Sequence, residues 1–350
     1  MANIRLQGVV KRYPKFTVGP IDLEISDNEF FGIFGPPSCG KTSILKIILG
    51  LVKPDEGRVY VNGRDVTDLS PEQRNMAMVF QNLALFPHLN GAQNISFPLV
   101  ERGFSKEQIE QELERVSGVL HVGHILHKVP AQMSGGERQR IALGRAFVRQ
   151  PGAFLLDEPI AALDARLREE MRVELKRLQA EGNHTFIYVS HDEEEVMSVA
   201  DRLAIVVDGK VLQVGTPDEI YDGPADVRVA TQIGSPPMNL IAGSVNASGI
   251  FESTDFEFSM PLGSVTPSAK GDTTLGVRPE NLDLLEHREL GTFQATVVAV
   301  EPLGGHTIVD MHAGKKTIKI RIAGQINFAE GSHLYVRPDP QRLHFFNELF

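Results

Sequence analysis

A glycine-rich segment near the N-terminus has the residue types and the spacing of a phosphate-binding loop. It reads Gly35-Pro36-Pro37-Ser38-Cys39-Gly40-Lys41-Thr42, which fits the pattern G-x-x-x-x-G-K-[ST]. The backbone N–H groups of such a loop, and the N-terminus of the helix that follows it, favour a bound anion. We expect Lys41 to reach the terminal phosphates of a nucleotide and Thr42 to offer its hydroxyl to Mg²⁺.

Two adjacent carboxylates, Asp157 and Glu158, close an apolar run that begins at Ala153. A carboxylate at a strand tip suits Mg²⁺, bound through water, and a second one beside it suits the polarisation of an attacking water. Neighbouring residues of a strand point in opposite directions, so one pair can serve both roles. Two solvated acids at a strand end would give the same pattern, and the phosphate-binding loop favours the hydrolytic interpretation.

Both motifs need a sheet whose strands end beside them. Short apolar runs predict buried strands over residues 30–34, 76–80, 153–156, 186–189 and 203–207. Helical patterns alternate with these runs over residues 42–49, 105–120, 136–147 and 165–180, and the second of them opens with a Ser105/Gln108 capping box. Strands that alternate with helices predict an α/β sheet.

The pattern changes near residue 235, where GSPPMN forms a turn-rich joint. Helical periodicity disappears after it, and residues 317–322 alternate strictly between polar and apolar side chains. We therefore predict two domains, an α/β domain over 1–234 and an all-β, barrel-like domain over 235–350.

Composition excludes several classes of protein. The net charge is −10, with 32 acidic and 26 basic residues before position 235 and 13 acidic and 9 basic after it, so a nucleic-acid partner is not expected. The single cysteine fits a reducing compartment. The N-terminus has no apolar signal-peptide core, and the longest apolar stretch, 44–52, is too short to span a bilayer. We expect a cytoplasmic protein that reaches a membrane only through partners.

A third motif, Met133-Ser134-Gly135-Gly136-Glu137-Arg138-Gln139-Arg140, resembles the LSGGQ signature of the ATP-binding cassette (ABC) family. Its serine and two glycines open a helix and offer a hydroxyl and closely approachable N–H groups to a phosphate. The resemblance covers nearly the whole chain. It implies a P-loop NTPase fold, with a helical subdomain at about residues 85–150, that binds ATP and Mg²⁺.

Further positions match the family in order along the chain. By resemblance, Tyr13 stacks on adenine, Gln81 senses Mg²⁺ and the γ-phosphate, Asp164 belongs to the D-loop and His191 contacts the γ-phosphate. The resemblance implies Glu158 and His191 as catalytic residues. It adds Ser43 to the ATP-binding loop, and it implies Thr42, Gln81 and Asp157 as the metal-binding set.

The C-terminal region resembles the OB-like TOBE domain of maltose-type sugar importers, through residues 234–239, 276–282 and 342–346. That subfamily implies an ATPase on the cytoplasmic face of the inner membrane, bound to a second cassette and two permease subunits, and served indirectly by a solute-binding protein. Sugar, polyol or glycerol phosphate is the expected substrate. Polyamine, iron or sulfate importers share this organisation and remain alternatives.

Five residues depart from the family pattern, and one of them, Gln93, replaces a frequent glutamate after the Gln81 segment. Pro37 and Ser38 replace a serine and a glycine, Glu137 replaces the signature glutamine and Ala161 replaces a D-loop serine. Glu137 would add negative charge near ATP, which leaves a mixed pair of cassettes open beside the favoured homodimer. Cys39 lies beside Lys41 at a helix N-terminus, and both effects predict a lowered thiol pKa and reactivity toward alkylation.

The alternatives from other classes of function are a soluble cassette ATPase in repair or translation and a catalytically weak cassette. Repair-type soluble cassettes insert long coiled coils between loop and signature, whereas only about 90 residues without sustained heptads lie there in this chain. Translation-type proteins carry two cassettes per chain, and this chain has one. A catalytically weak cassette that supports a second ATPase remains the alternative.

Overall fold

The computed structural model describes residues 2–149, 151–262 and 271–347. The predicted domain and subdomain ends at 150 and 350 lie outside these ranges. The chain forms two compact units, Met1–Pro217 and Asp218–Phe350. The predicted division after residue 234 falls 17 residues later than this boundary, and it stays a prediction.

The first unit alternates strands and helices along the chain. In order, its elements are β1 (Ile4–Arg12), β2 (Thr17–Ile25), β3 (Phe30–Phe34), α1 (Lys41–Leu49), β4 (Glu56–Val61), β5 (Arg64–Asp65), α2 (Pro71–Arg74), β6 (Met76–Val79), α3 (Gly91–Glu101), α4 (Lys106–Val119), α5 (Gly135–Phe147), β7 (Ala153–Asp157), α6 (Ala165–Gly182), β8 (Thr185–Ser190), α7 (Glu193–Val199), β9 (Arg202–Val207) and β10 (Lys210–Gly215).

A six-stranded sheet in the order β10-β9-β3-β8-β7-β6 forms the centre of this unit. Its strands are parallel except β10, which pairs antiparallel with β9. Every residue of β3, β7 and β8 is buried, as expected for parallel strands covered on both faces. The carboxyl ends of β3, β7 and β8 meet at one edge, where the loop before α1, Asp157 and Ser190 lie side by side.

A second sheet, β2-β1-β4-β5, is antiparallel and packs its apolar side on α1. Alternate residues of β1 and β2 point into this core, among them Ile4, Leu6, Ile21 and Leu23. The core encloses Ile44, Ile47 and Ile48 of α1, so it fixes the helix that follows the glycine-rich loop.

Helices α3, α4 and α5 lie within the segment predicted as a helical subdomain. Each begins at a side-chain cap, and Ser105 and Gln108 form the predicted capping box of α4. Gly144 of α5 faces Ile95 of α3 so closely that an added Cβ would lie 2.9 Å from its Cδ1. The close approach of α3 and α5 therefore depends on that glycine.

The described part of the second unit is mostly β, with two short α-helices at its start and a 3₁₀ helix at Pro279–Asn281. Its elements are α8 (Pro217–Asp222), α9 (Val227–Gln232), β11 (Asn239–Val245), β12 (Ile250–Ser253), β13 (Ser259–Pro261), β14 (Gly271–Val277), β15 (Leu282–Leu285), β16 (Phe293–Pro302), β17 (His306–Ala313), β18 (Lys316–Ala323), β19 (His333–Pro338) and β20 (Leu343–Phe346). The strands form two antiparallel five-stranded sheets, β13-β12-β11-β14-β20 and β15-β19-β16-β17-β18, which share one apolar core. The predicted alternation of 317–322 falls within β18, where Ile318 and Ile320 are buried.

A buried arginine explains why the second unit begins before residue 234. Arg278 follows β14 and donates hydrogen bonds to the carbonyl oxygens of Tyr221, Ala230 and Ile233. Its guanidinium also stacks 4.1 Å from the Tyr221 ring. These hydrogen bonds connect α8 and α9 to the β-strands of the second unit.

None of the helices in the described ranges has the length and apolarity to cross a bilayer.

Candidate functional site

The glycine-rich loop joins β3 to α1, the context that its sequence predicted. Gly40 is the N-cap of α1 with φ 106°, and a Cβ there would lie 2.9 Å from Val18. Lys41 is buried, and its Nζ donates to the carbonyl oxygens of Gly35 (2.7 Å) and Pro36 (2.9 Å). The lysine thus folds back over the loop and places its charge where the loop's N–H groups and the helix N-terminus favour an anion.

Ser38 occupies a backbone conformation that suits glycine. Its φ is 63°, in the left-handed region that costs a non-glycine residue about 1–2 kcal/mol. The pattern of the family that this loop resembles has glycine here, which adopts such a conformation without a Cβ clash. Ser38 and Pro37 are exposed, while Ser43 is partly exposed in the first turn of α1.

A hydroxyl and a carboxylate meet beside the loop. The Thr42 Oγ1 donates to Asp157 Oδ1 at 3.1 Å, and Asp157 is 3% exposed at the end of β7. Burial raises the pKa of the Asp157 carboxyl, partly offset by the Thr42 hydrogen bond. Buried oxygen donors of this kind are the ligands that Mg²⁺ prefers, so the pair fits a cation that would relieve the desolvated charge.

Glu158 holds two of the predicted site residues together. Its Oε2 accepts from Gln81 Nε2 at 3.0 Å, and its Oε1 lies 2.9 Å from His191 Nδ1. The Glu158 backbone has φ 50° and donates its N–H to Val189 O at 2.9 Å. A non-glycine residue with positive φ beside reactive groups is typical of a functional position. This carboxylate can orient and polarise a water.

The turn that carries His191 is stabilised by hydrogen bonds to the buried carboxylate of Glu195. Glu195 accepts hydrogen bonds from Ser190 Oγ (2.6 Å) and Tyr188 Oη (3.0 Å). Ser190 Oγ also accepts from the Asp192 N–H at 3.0 Å. The sequence analysis did not identify Tyr188 or Glu195. The signal in the sequence was a tyrosine in an otherwise apolar strand, followed by a glutamate in the next helix.

The signature segment forms the N-terminal cap of α5. Ser134 Oγ accepts from the Glu137 N–H at 3.2 Å, and Glu137 Oε2 accepts from the Ser134 N–H at 2.7 Å, a reciprocal capping box. Lys128 Nζ lies 2.8 Å from Glu137 Oε1. Lys128 and the Ser134 N–H together lower the pKa of the Glu137 carboxyl. The negative charge expected at position 137 is therefore favoured, and Lys128, nine residues earlier, offsets part of it.

Gln139 links the signature helix to the hydrolytic strand, a role that the sequence analysis missed. It is 2% exposed; its Nε2 donates to Glu158 O at 3.1 Å, and its Oε1 accepts from the Ala162 N–H at 3.1 Å. Asp164, predicted for the D-loop, caps α6 by accepting from the Leu167 N–H at 3.0 Å. A Cβ on Gly136 would lie 2.9 Å from Leu163, so the signature and the D-loop pack closely.

Not all predicted residues converge. Within the described ranges, no hydrogen bond or ion pair joins residues 134–137 to the glycine-rich loop. Tyr13 lies in the turn between β1 and β2, where its ring stacks on Phe16 at 5.1 Å with an interplanar angle of 7°. Phe16 is 38% exposed and approaches Gly40, so the two rings form an aromatic wall near the start of α1.

The structure contradicts the expectation of a lowered thiol pKa at Cys39. Cys39 is buried in the apolar core of the first unit, and burial raises its pKa. Lys41 lowers the pKa, as predicted, but its effect is the smaller one. Desolvation therefore dominates over the charge and the helix N-terminus.

Comparison with known proteins identifies the class. The family described as "ABC transporter" matches residues 18–161, the "MalK OB fold domain" matches 234–282 and the "TOBE domain" matches 275–346. Proteins named "sn-glycerol-3-phosphate import ATP-binding protein UgpC" are similar over 99% of this chain and 98% of their own length. The identity is 39% for Yersinia enterocolitica, 38% for Escherichia coli K12 and, for UgpC 3 of Rhizobium etli, 41%. The chain therefore belongs to the ABC transporter ATP-binding family.

Within that family, the chain carries the cassette followed by the MalK-type OB and TOBE regions. A solved dimeric cassette in a post-hydrolysis state, bound to ADP and Pi, is 28% identical with a TM-score of 0.57. A second dimeric bacterial ABC transporter cassette is 30% identical with a TM-score of 0.56. Both cover 61% of this chain and 98% of their own length. The protein is an ATPase whose hydrolysis of ATP is coupled to transport.

Proposed function

We propose that the chain energises an importer of sn-glycerol 3-phosphate or a related sugar or polyol, with Glu158 as the group that activates water for ATP hydrolysis. The observation that carries the chemistry is the Glu158 carboxylate held between Gln81 and His191. The import function rests on the full-length similarity to the UgpC proteins. A carboxylate with two hydrogen-bonding neighbours is positioned to accept the proton of a water that attacks a phosphoryl group.

The nucleotide would lie along the loop 35–43. Lys41 and the N-terminus of α1 hold the negative phosphates, and the rings of Tyr13 and Phe16 offer a stacking surface for adenine. Thr42 and Asp157, with Gln81 nearby, are the oxygen donors that would hold Mg²⁺. When bound, this ion neutralises charge on the phosphate oxygens. His191, whose side chain is half exposed, would contact the γ-phosphate.

A second cassette completes the site in this proposal. Each chain has one glycine-rich loop and one signature, so residues 134–137 would face the nucleotide of a partner chain. Lys128 offsets part of the Glu137 charge, which weakens the main objection to two identical chains closing around phosphates. Closed two-fold symmetry is the usual arrangement of identical subunits, so a homodimer is favoured over a mixed pair.

Two permease subunits and, indirectly, a solute-binding protein would supply the membrane path and the substrate. The chain would then lie on the cytoplasmic face of the inner membrane. The segment 85–88 after Gln81 is the proposed docking surface for the permease.

The test is reconstitution of the chain in proteoliposomes with the permease subunits and binding protein encoded beside it. We expect ATP-dependent uptake of labelled sn-glycerol 3-phosphate that exceeds uptake of maltose, spermidine and sulfate in parallel assays. The Glu158→Gln variant provides the control for ATP dependence. Uptake of another of these solutes in place of glycerol phosphate would overturn the substrate. Equal uptake with the Glu158→Gln variant would overturn the role of the chain as the ATPase.

A further inference from the structure

The loop that follows Gln81 contains two consecutive residues in an unfavourable backbone conformation. Leu83 has φ 61° and Ala84 has φ 46°, both in the left-handed region that a non-glycine residue seldom adopts. The Leu83 N–H donates to Phe80 O at 2.8 Å, and the Ala84 N–H donates to Asn82 O at 2.7 Å. These tight local turns do not remove the steric cost of two adjacent left-handed residues, so another contact must hold them.

That contact comes from the far end of the signature helix. Arg145, in the last turn of α5, donates from Nη2 to Leu83 O at 2.9 Å and from Nη1 to Ala84 O at 2.7 Å. Its guanidinium also lies 5.5 Å from the centre of the Phe86 ring. The planar fork of an arginine matches two neighbouring carbonyl oxygens in a way that a lysine cannot.

Apart from these contacts, the side chain of Arg145 has no polar partner among the described residues. No carboxylate in the described ranges forms an ion pair with it, and burial lowers its pKa. A partly buried cation without an acidic partner is costly unless its hydrogen bonds are strong. The two carbonyl oxygens of the strained pair are the acceptors it has, so the arginine and the strained loop stabilise each other.

We propose that Arg145 is a positioning residue for ATP hydrolysis, which clamps the strained Leu83–Ala84 pair and thereby holds Gln81 against Glu158. The same helix presents Ser134 at its N-terminus and holds Glu158 O through Gln139. α5 therefore joins the signature, the hydrolytic carboxylate and the Gln81 loop in one rigid element. A displacement of the signature helix on pairing with a second cassette would be transmitted to Gln81 through Arg145. This inference rests on the proposed roles of Glu158 and Gln81.

The test uses the full-length chain and the suppression of one change by another. Arg145→Met should lower the kcat of ATP hydrolysis about tenfold or more, with little change in the KM for ATP. Ala84→Gly relieves one left-handed residue, because glycine adopts this conformation without a Cβ clash. Adding it to Arg145→Met should recover at least about fivefold of the lost rate, the factor that corresponds to the lower end of the strain of one such residue. The kcat of Arg145→Lys should lie between that of Arg145→Met and that of the wild type.

Arg149 provides a matched control. It lies just beyond the end of α5, burial lowers its pKa in the same way, and no hydrogen bond or ion pair joins its side chain to another described residue. Arg149→Met should leave kcat within about twofold of wild type. Equal losses in the two methionine variants, or no recovery by Ala84→Gly, would overturn the proposal, because a general packing role predicts both.

A second readout separates this inference from the proposed function. Hydrogen exchange of the peptide that covers residues 81–89 should accelerate in Arg145→Met and stay at the wild-type rate in Arg149→Met, whether or not the protein hydrolyses ATP. If Arg145→Met fails to fold, Ala84→Val in the wild-type background gives the same information. A β-branched residue at φ 46° adds strain against an intact clamp, so exchange should rise and kcat should fall. Wild-type exchange and kcat in Ala84→Val would contradict the clamp.

Discussion

The pairing of Glu137 with Lys128 makes a quantitative prediction about closure of two cassettes. Lys128→Met removes the neutralising charge and leaves the capping box of Ser134 and Glu137 in place. The Glu137 carboxylate then faces the phosphates of the partner's nucleotide without compensation. Glu137→Gln removes the negative charge, and glutamine forms the same capping box. The double variant should therefore behave like Glu137→Gln alone.

The size of the effect follows from the geometry of the pair. The two charged atoms lie 2.8 Å apart, and the side chains are 30% and 16% exposed. A partly exposed, charge-assisted pair of this kind contributes about 1 kcal/mol. Lys128→Met should therefore raise the ATP concentration for half-maximal dimerisation about fivefold, whereas Glu137→Gln should change it by less than about twofold. In the double variant no charge at position 137 repels the phosphates, so its ATP concentration for half-maximal dimerisation should lie within about twofold of the wild-type value.

The assay is dimerisation of the chain in the Glu158→Gln background, followed by light scattering as Mg-ATP is added. Lys106→Met is the matched control, because Lys106 lies 3.8 Å from Glu110 on the exposed face of α4, with side chains 88% and 66% exposed. That variant should match the wild type. If Lys128→Met is as harmless as Lys106→Met, or if the double variant is as impaired as Lys128→Met, then Lys128 does not compensate the signature charge.

Cys39 should resist iodoacetamide in the native protein at neutral pH and react after denaturation, because burial raises its pKa; rapid native modification would contradict this. Asp157→Asn should raise the free energy of unfolding of the nucleotide-free protein at pH 7, measured by urea unfolding. Burial raises the folded-state pKa of Asp157 above its unfolded value, so the ionised carboxylate destabilises the folded state at this pH. That advantage should shrink as the pH falls through the raised pKa toward about 4, and an advantage independent of pH would refute the assignment. A fragment that ends at Pro217 should melt cooperatively and bind ATP. A fragment that ends at Gly234 should be less soluble, because it keeps α8 and α9 without Arg278. Higher solubility of the fragment that ends at Gly234 would favour the boundary at 234.

The sequence predicts much of the cassette because its signals are local. The β3 run and the glycine-rich loop carry their own hydrophobic and conformational patterns, and the structure has β3 over the predicted residues. The capping box at Ser105 and Gln108 is encoded within four residues and was likewise predicted. Family resemblance identified Gln81 and His191, which lie far apart in the chain and meet at Glu158.

The remaining features depend on partners that no local pattern reveals. Lys128 forms an ion pair with Glu137 across a turn, and Arg145 reaches a loop about 60 residues earlier. Cys39 shows how a correct rule gives a wrong result, since the neighbouring lysine does lower its pKa but burial in the core outweighs it. Burial is set by packing of the whole unit, so it cannot be read from the loop alone.

The central claim is that Glu158 activates water for hydrolysis at ATP sites shared by two copies of this chain. The most direct measurement compares phosphate release and oligomeric state for wild type and Glu158→Gln, each with saturating Mg-ATP. We expect Glu158→Gln to lose at least about a hundredfold in phosphate release, as for removal of a catalytic base, and to accumulate as a homodimer that retains two ATP molecules. Near-normal phosphate release by the variant, or a protein that stays monomeric with ATP bound and pairs only with a different cassette protein, would contradict the account.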